Sequence, residues 1–353
     1  MADEKFEVTK RQDFSDSDLL EILNGKSDFE ELQNQAVSVR KRVYGNEVFI
    51  RGLIEFSNIC KNDCLYCGLR ASNNKLERYR LSKEEILACC EQGYKAGCRT
   101  FVLQSGEDMF YTDDEMCRLI YEIKTQYCDC ALTLSVGEKS HGTYKAYFNA
   151  GADRYLLRHE TASAKHYKTL HPSSMSSENR KRCLFDLKEI GFQVGAGFMV
   201  GSPYQTNENI VEDVRFLQEL NPAMIGIGPF VAHHATPFAD FKNGSVKKTL
   251  VLISLLRLLF PYALIPATTA LGSLEKEGYI KGVQAGANVL MPNISPFFAR
   301  EKYAIYDGKI YGQNDASKSI AYLSEKLESV GYTIVVGRGD WPTTNCYTMF
   351  NGL

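Results

Sequence analysis

The segment SNICKNDCLYCGLR, residues 57–70, places Cys60, Cys64 and Cys67 within eight positions. Thiols this closely spaced can bind metal or form disulfides. The chain carries eleven cysteines, an odd number, and its opening MADEKFEVTKRQDF lacks the apolar core of a secretion signal. Reduced thiols are therefore expected. A structural zinc ion takes four protein ligands and a catalytic one takes three plus water, but no fourth Cys or His stands near the trio. An iron-sulfur cubane is usually held by four thiolates. Three would leave one iron open to an outside ligand, as a reaction centre requires. A zinc knuckle is the bland alternative.

The other cysteines need no special role. Cys89, Cys90, Cys98, Cys117 and Cys183 fall in or beside helical patterns, where a free cysteine packs as a small apolar side chain. Cys128 and Cys130 form a C-x-C that reads either as a metal pair or, more simply, as a short turn before a strand.

The elements that must position the trio are visible as alternation. Eight short apolar runs, FIRGLIEFS, TFVLQSG, ALTLSVG, RYLLRHE, VGAGFMVG, MIGIGPF, ALIPATTA and NVLMPN, are separated by segments of helical period. Several of those segments open on Ser, Thr or Asn and close on Gly, as helix ends do. Strand-helix alternation predicts an α/β fold with a parallel sheet, and eight units predict a (β/α)8 TIM barrel, with an open doubly wound sheet as runner-up. Residues 1–45 read as an N-terminal helical extension, 46–300 as the barrel, and 301–353 as a C-terminal extension packed on it, ending in one amphipathic helix, SKSIAYLSEKLESVG.

A barrel places its active site at the carboxyl ends of the strands. Polar residues gather there: Gln104, Ser105 and Glu107, then Ser135 and Glu138, then Arg158, His159 and Glu160, then Thr268, Thr269 and Asn293. Buried parallel strands prefer apolar residues, so these either cap the following helices or build a site. Composition excludes other classes. At 353 residues, 24% charged and net charge −2 with no single-sign run, the chain has no electrostatic footprint for nucleic acid. Its longest apolar stretch, TLVLISLLRLLFPYALI, is broken by Arg257 and Pro261, so no membrane span is expected and a cytoplasmic location is read.

Cys60-x3-Cys64-x-Tyr66-Cys67 after a first barrel strand resembles the C-x3-C-x-φ-C signature of radical S-adenosylmethionine enzymes. The resemblance implies one [4Fe-4S] cluster whose open iron is chelated by S-adenosylmethionine. Reductive cleavage of that cofactor then yields a 5′-deoxyadenosyl radical, hard chemistry that the cofactors carry and the protein positions. LQSGED is similar to the superfamily's GGE-type motif, with Ser105 in place of the first glycine and Gly106 and Glu107 retained, and it implies contact with the methionine amino group. The same comparison implies cofactor contacts for Glu160 and Arg180 and an adenosyl pocket lined by Tyr66 and Met199, the last two also readable as core.

Over about residues 40–310 a resemblance closer than superfamily level, in RGLIEFSNICKNDCLYCGLR, VLQSGED, GADRYLLRHETA, GAGFMVG, GIGPF, IPATTA and GANVLMPN, is to the HydE-type maturases of [FeFe]-hydrogenase, beside methylornithine synthase and biotin synthase. That likeness implies a cysteine-bound iron dicarbonyl cyanide substrate made by the partner maturase HydG. It also implies a carboxylate clamp of Arg158, Thr268 and Thr269, joined by Tyr303, and transient contact with other maturases and an electron donor. A methylornithine synthase-like amino-acid mutase is the alternative, because the same clamp would hold a free amino acid. A non-catalytic zinc protein and an ordinary hydrolytic barrel enzyme stand outside the class. Some members carry a second cluster near the C-terminus. IYGQNDASKS has no cysteine and only Cys346 follows, so one cluster is expected.

Overall fold

The computed structural model describes residues 11–310 and 315–342; Cys346 lies outside them. Its strands are β1 (Glu47–Ile50), β2 (Gly52–Ser57), β3 (Thr100–Ser105), β4 (Ala131–Ser135), β5 (Arg154–Leu156), β6 (Gln193–Ala196), β7 (Met199–Val200), β8 (Met224–Ile225), β9 (Gly228–Pro229), β10 (Val289–Leu290) and β11 (Thr333–Val335). A six-stranded parallel sheet runs β2-β3-β4-β5-β6-β8. Single parallel bridges, Met224 to Leu264 and Pro266 to Val289, carry the pairing on to β10, which pairs with β1 at Phe49–Val289. Asn293 then bridges back to Leu53 on β2. The pairing forms a ring, the TIM-barrel-like arrangement that the eight alternating runs predict.

Four of the eight runs depart from a regular strand, FIRGLIEFS by dividing at Arg51 into β1, which pairs with β10, and β2, which begins the six-stranded sheet. ALIPATTA forms only isolated bridges, because Pro266 has no N–H to give to a ladder. VGAGFMVG is split into β6 and β7 at Gly197, where a Cβ would lie 1.9 Å from the Gly226 carbonyl oxygen. The matching break in MIGIGPF falls at Gly226 and Ile227, between β8 and β9. The tail contains the expected helix, Ala316–Glu328, but continues into β11, which pairs in parallel with β1.

The helices begin where their capping residues place them. Ser82 and Glu85, Thr112 and Glu115, and Thr206 and Asn209 form reciprocal capping boxes that satisfy first-turn N–H groups. Helices Asp16–Leu23 and Phe29–Tyr44 precede the barrel. Every residue of β2 is buried, as a strand covered on both faces should be. At the amino end of the barrel, Arg154 donates to the Arg338 carbonyl oxygen at 2.8 Å and to Asp340 Oδ1 at 2.6 Å. The C-terminal segment thus covers that end, and the usable cavity opens at the other.

Cys128 is exposed and Cys130 buried in the turn before β4. One faces solvent and the other the core, which is the turn reading rather than a shared metal. Cys89, Cys90, Cys98 and Cys183 are buried as free thiols, and Cys117 is half-buried.

Candidate active site

β2 delivers the chain to Asn58, Ile59 and Cys60, and the cysteine loop is shaped by its own polar side chains. Asp63 accepts from Arg70 Nε at 2.8 Å and Nη2 at 2.7 Å, and also from the backbone N–H and hydroxyl of Ser72. That bidentate pair holds the Asp63 carboxyl well below the usual carboxylate range. β3 then brings its terminal turn against the loop. The Glu107 N–H points at Cys60 Sγ, 3.4 Å away, and a Cβ on Gly106 would lie 2.3 Å from the Ile59 carbonyl oxygen. Only glycine allows this approach. Met175 Sδ lies 3.8 Å from Cys64 Sγ, and the Tyr66 hydroxyl lies 3.2 Å from His171 Nε2.

β5 supplies the opposite wall by alternation. Arg158 and Glu160 turn into the barrel, whereas His159 turns outward, its Nε2 3.2 Å from Asp213 Oδ1. Glu160 sits at φ +64°, a left-handed conformation uncommon for a glutamate. Such strain is held only where surrounding structure over-determines it, and here the Glu160 N–H donates to the Gly197 carbonyl at 3.1 Å while its carbonyl accepts from Met199 N–H at 3.3 Å. Helix Ser177–Ile190 presents Arg180, whose Nε is 2.8 Å from Glu138 Oε1. Burial opposes the Arg180 charge, but Glu138, Tyr167 and Glu107 outweigh it and keep the guanidinium ionised.

These walls enclose a cavity of about 370 Å³. The residues that the sequence assigns to cluster, cofactor and substrate all line it: Cys60, Cys64, Tyr66, Cys67, Ser105, Gly106, Glu107, Arg158, Glu160, Arg180, Met199, Thr268, Thr269 and Tyr303. Of the other polar strand-end residues Gln104 and Ser135 also line it, whereas Glu138, His159 and Asn293 do not. Chain closure brings in others. Glu55, in the middle of β2, accepts from Lys309 Nζ at 2.6 Å and Asn293 Nδ2 at 2.7 Å, and Lys309 also donates to the Tyr303 carbonyl at 2.9 Å. Met224, Met291 and Leu157 add an apolar side. A carboxylate inside the apolar run FIRGLIEFS, which also carries Arg51, was the available signal for Glu55; nothing local marks Lys309.

The donors suit a cluster and a zwitterionic ligand. Burial raises all three thiols, Cys67 to about 12, and the neighbouring sulfurs push Cys64 and Cys67 further. Holding three thiolates here therefore calls for a cationic core between them. Several buried polar atoms on the cavity wall lack hydrogen-bond partners: Arg158 Nε and Nη2, Glu160 Oε2 and Thr268 Oγ1. Arg158 Nη2 and Glu160 Oε2 lie 3.1 Å apart, close enough for charge attraction but without hydrogen-bond alignment. Buried groups left this way are served by a ligand.

A single zinc ion fits less well. Among the described residues, the metal-ligating group whose donor atoms lie within 4.8 Å of one another is His233, His234 and Asp307, and the three cysteines are not in it. That histidine set is occupied by its own hydrogen bonds. His233 Nδ1 accepts from Ala235 N–H at 3.0 Å, which leaves the proton of the neutral ring on Nε2, and His234 Nδ1 lies 2.7 Å from Asp307.

Comparison with known proteins agrees with this geometry. Residues 54–217 match the Radical SAM superfamily. The [FeFe] hydrogenase maturase subunit HydE of Thermotoga maritima is 43% identical over 330 residues, covering 93% of this chain and 94% of that protein. The 3-methylornithine synthase of Methanosarcina acetivorans is 30% identical over 321 residues, covering 90% and 89%. A crystal structure of methylornithine synthase superposes with a TM-score of 0.81 at 29% identity, covering 92% of this chain and 95% of that one. The chain belongs to the radical S-adenosylmethionine enzymes, in the group that contains the HydE hydrogenase maturase.

Proposed function

We propose that this enzyme acts on a cysteine-bound iron dicarbonyl cyanide complex during assembly of the [FeFe]-hydrogenase active site. The cofactors of its family are a [4Fe-4S] cluster and S-adenosylmethionine. When bound, they supply a 5′-deoxyadenosyl radical through one-electron cleavage of the sulfonium. Cys60, Cys64 and Cys67 hold the cluster. Glu107, Glu160 and the backbone at Ser105–Gly106 receive the methionine amino group, Arg180 pairs with its carboxylate, and Tyr66 and Met199 border the adenosyl group. Arg158, with the hydroxyls of Thr268 and Thr269, clamps the carboxylate of the substrate's cysteine, and Tyr303 closes the same side. A planar guanidinium beside the unpartnered Thr268 hydroxyl suits a carboxylate in an enclosed cavity.

One observation favours the iron complex over a diamino acid. A lysine- or ornithine-type substrate needs a carboxylate for its distal ammonium, yet of the carboxylates lining the cavity Glu55 is paired with Lys309 at 2.6 Å, and Glu107 and Glu160 are taken in this reading by the methionine amino group. The apolar side of Leu157, Met224 and Met291 suits carbonyl ligands, which accept hydrogen bonds weakly. No helix of the described residues is long and apolar enough to cross a membrane. This reading sets the chain in the cytoplasm, where the thiols stay reduced, in transient contact with an electron donor and other maturases.

Electron paramagnetic resonance on anaerobically reconstituted, reduced protein with S-adenosylmethionine tests the assignment. A new low-spin iron signal, seen with the iron complex and not with lysine or ornithine-type amino acids, is the expected result. Cofactor cleavage driven by an amino acid, with no new species from the iron complex, would transfer the function to amino-acid rearrangement, as in the methylornithine synthases.

A further inference from the structure

The cysteine loop must hold three like-charged sulfurs close together, and a side chain outside the motif is placed to steady it. Arg78 lies half-buried eleven residues beyond Cys67. Its Nη1 donates to the carbonyl oxygens of Asn58 at 2.6 Å and Leu69 at 2.9 Å, and its Nη2 to those of Arg70 at 2.7 Å and Asn73 at 3.3 Å. Asn58 precedes the first cysteine and Leu69 follows the third. One rigid fork therefore ties the entry of the loop to its exit, which a lysine's single ammonium could not reproduce.

The surrounding cations differ. Arg70 is paired with Asp63 at 2.7 Å, Arg80 with Asp108 at 2.7 Å, and Lys302 with Glu77. Arg78, among the described residues, has only carbonyl partners. Its charge is not cancelled by a carboxylate, and the anions it meets most strongly are Cys60 and Cys67 as thiolates.

We propose that Arg78 is a positioning residue for the iron-sulfur cluster: it fixes both ends of the cysteine loop and its uncompensated charge favours the reduced cluster. The inference rests on Cys60, Cys64 and Cys67 being the cluster ligands. A [4Fe-4S]²⁺ core with three thiolates carries one net negative charge and gains a second on reduction, so a nearby fixed cation stabilises the reduced form more. Net charge and hydrogen bonding are known levers on cluster potential.

The test compares wild type, Arg78→Lys and Arg78→Gln after anaerobic reconstitution. Iron and sulfide per chain are measured first, followed by a redox titration monitored by electron paramagnetic resonance without S-adenosylmethionine. Arg78→Lys, which keeps the charge without the fork, is expected to load less cluster at a near wild-type potential. Arg78→Gln is expected to load less and to titrate lower by about 59 mV or more, a tenfold change in the reduced-to-oxidised ratio for one electron. The titration reads only loaded chains, so partial loading does not blur it. Full loading and an unshifted potential in Arg78→Gln would overturn the inference. If Arg78→Gln holds no cluster, thermal melts of the cluster-free chains decide: a melt like wild type supports a role specific to the loop, and a much lower one makes Arg78 a general fold residue and overturns the inference. A wild-type chain that takes up no cluster would overturn the reading of the cysteines themselves.

Discussion

Arg158 lies two residues beyond β5 with its Nε and Nη2 buried and unpartnered on the cavity wall, so Arg158→Ala should separate substrate capture from cofactor cleavage. A hydrogen bond to a charged group contributes about 1.5–3 kcal/mol. Losing a two-pronged contact to the substrate carboxylate, with the Thr268 hydroxyl left in place, should cost about 3 kcal/mol, roughly a hundredfold in affinity. The mutation also removes the cation 3.1 Å from Glu160, but the Arg158 and Glu160 side chains are 30% and 15% exposed and the contact is not aligned. That loss is worth about 1 kcal/mol at most, so S-adenosylmethionine binding should change less than about tenfold. Iron content, cofactor binding and 5′-deoxyadenosine release with and without substrate are the readouts. Cluster and uncoupled cleavage should persist while substrate-dependent turnover collapses, and Arg158→Lys should fall between. Wild-type turnover in Arg158→Ala would remove this residue from the clamp. Loss of cofactor binding along with turnover would place it in the cofactor site instead.

Replacing Cys60, Cys64 or Cys67 with alanine should abolish both the iron signal and S-adenosylmethionine cleavage, and a Cys60→Ala chain retaining both would sink the ligand assignment. Gly106→Ala puts a Cβ 2.3 Å from the Ile59 carbonyl oxygen and 2.7 Å from Cys60 Cβ. Overpacking of this kind costs about 1–3 kcal/mol, so melts should drop and cluster occupancy fall together; unchanged occupancy would show that the loop yields freely. The His159–Asp213 pair gives a pH signature. Burial lowers His159 to about 3 and raises Asp213, so the folded pair shares one proton. Between 3.8 and 6.5 the unfolded chain also holds one proton on these two groups, on the histidine, and the pair adds no slope there. Above 6.5 the unfolded histidine releases its proton while the folded pair keeps one, so stability declines with rising pH. In Asp213→Asn the folded site holds no proton, whereas the unfolded histidine still binds one below 6.5. That variant should lose about 1.4 kcal/mol per pH unit on acidification. Urea denaturation across the range reads this directly, and a slope parallel to wild type would refute the shared proton.

Much of the machinery was written locally. Cysteines within a single short loop share their environment whatever the rest of the chain does, so Cys60, Cys64 and Cys67 could be read as one candidate ligand set from their spacing together with their place after a barrel strand. Capping residues such as Ser82 and Thr112 act within one helical turn, and for that reason the helix starts were legible too. The strand ends were less so. LRHE showed three polar residues together, but only the packed barrel decided that Arg158 and Glu160 face the cavity while His159 turns to Asp213. Backbone strain at Glu160 and the breaks at Gly197 and Pro266 likewise depend on what the neighbouring strands bring within reach. The ion pair of Glu55 with Lys309 joins residues 254 positions apart, and the Arg78 fork draws on four carbonyls whose directions no side-chain pattern encodes. The cysteine motif, through its resemblance to a known family, pointed to the class of chemistry because metal-ligand sets, like helix caps, are short-range. The tertiary structure decided which charges meet, because electrostatic and hydrogen-bond partners are chosen by distance in space after the barrel closes.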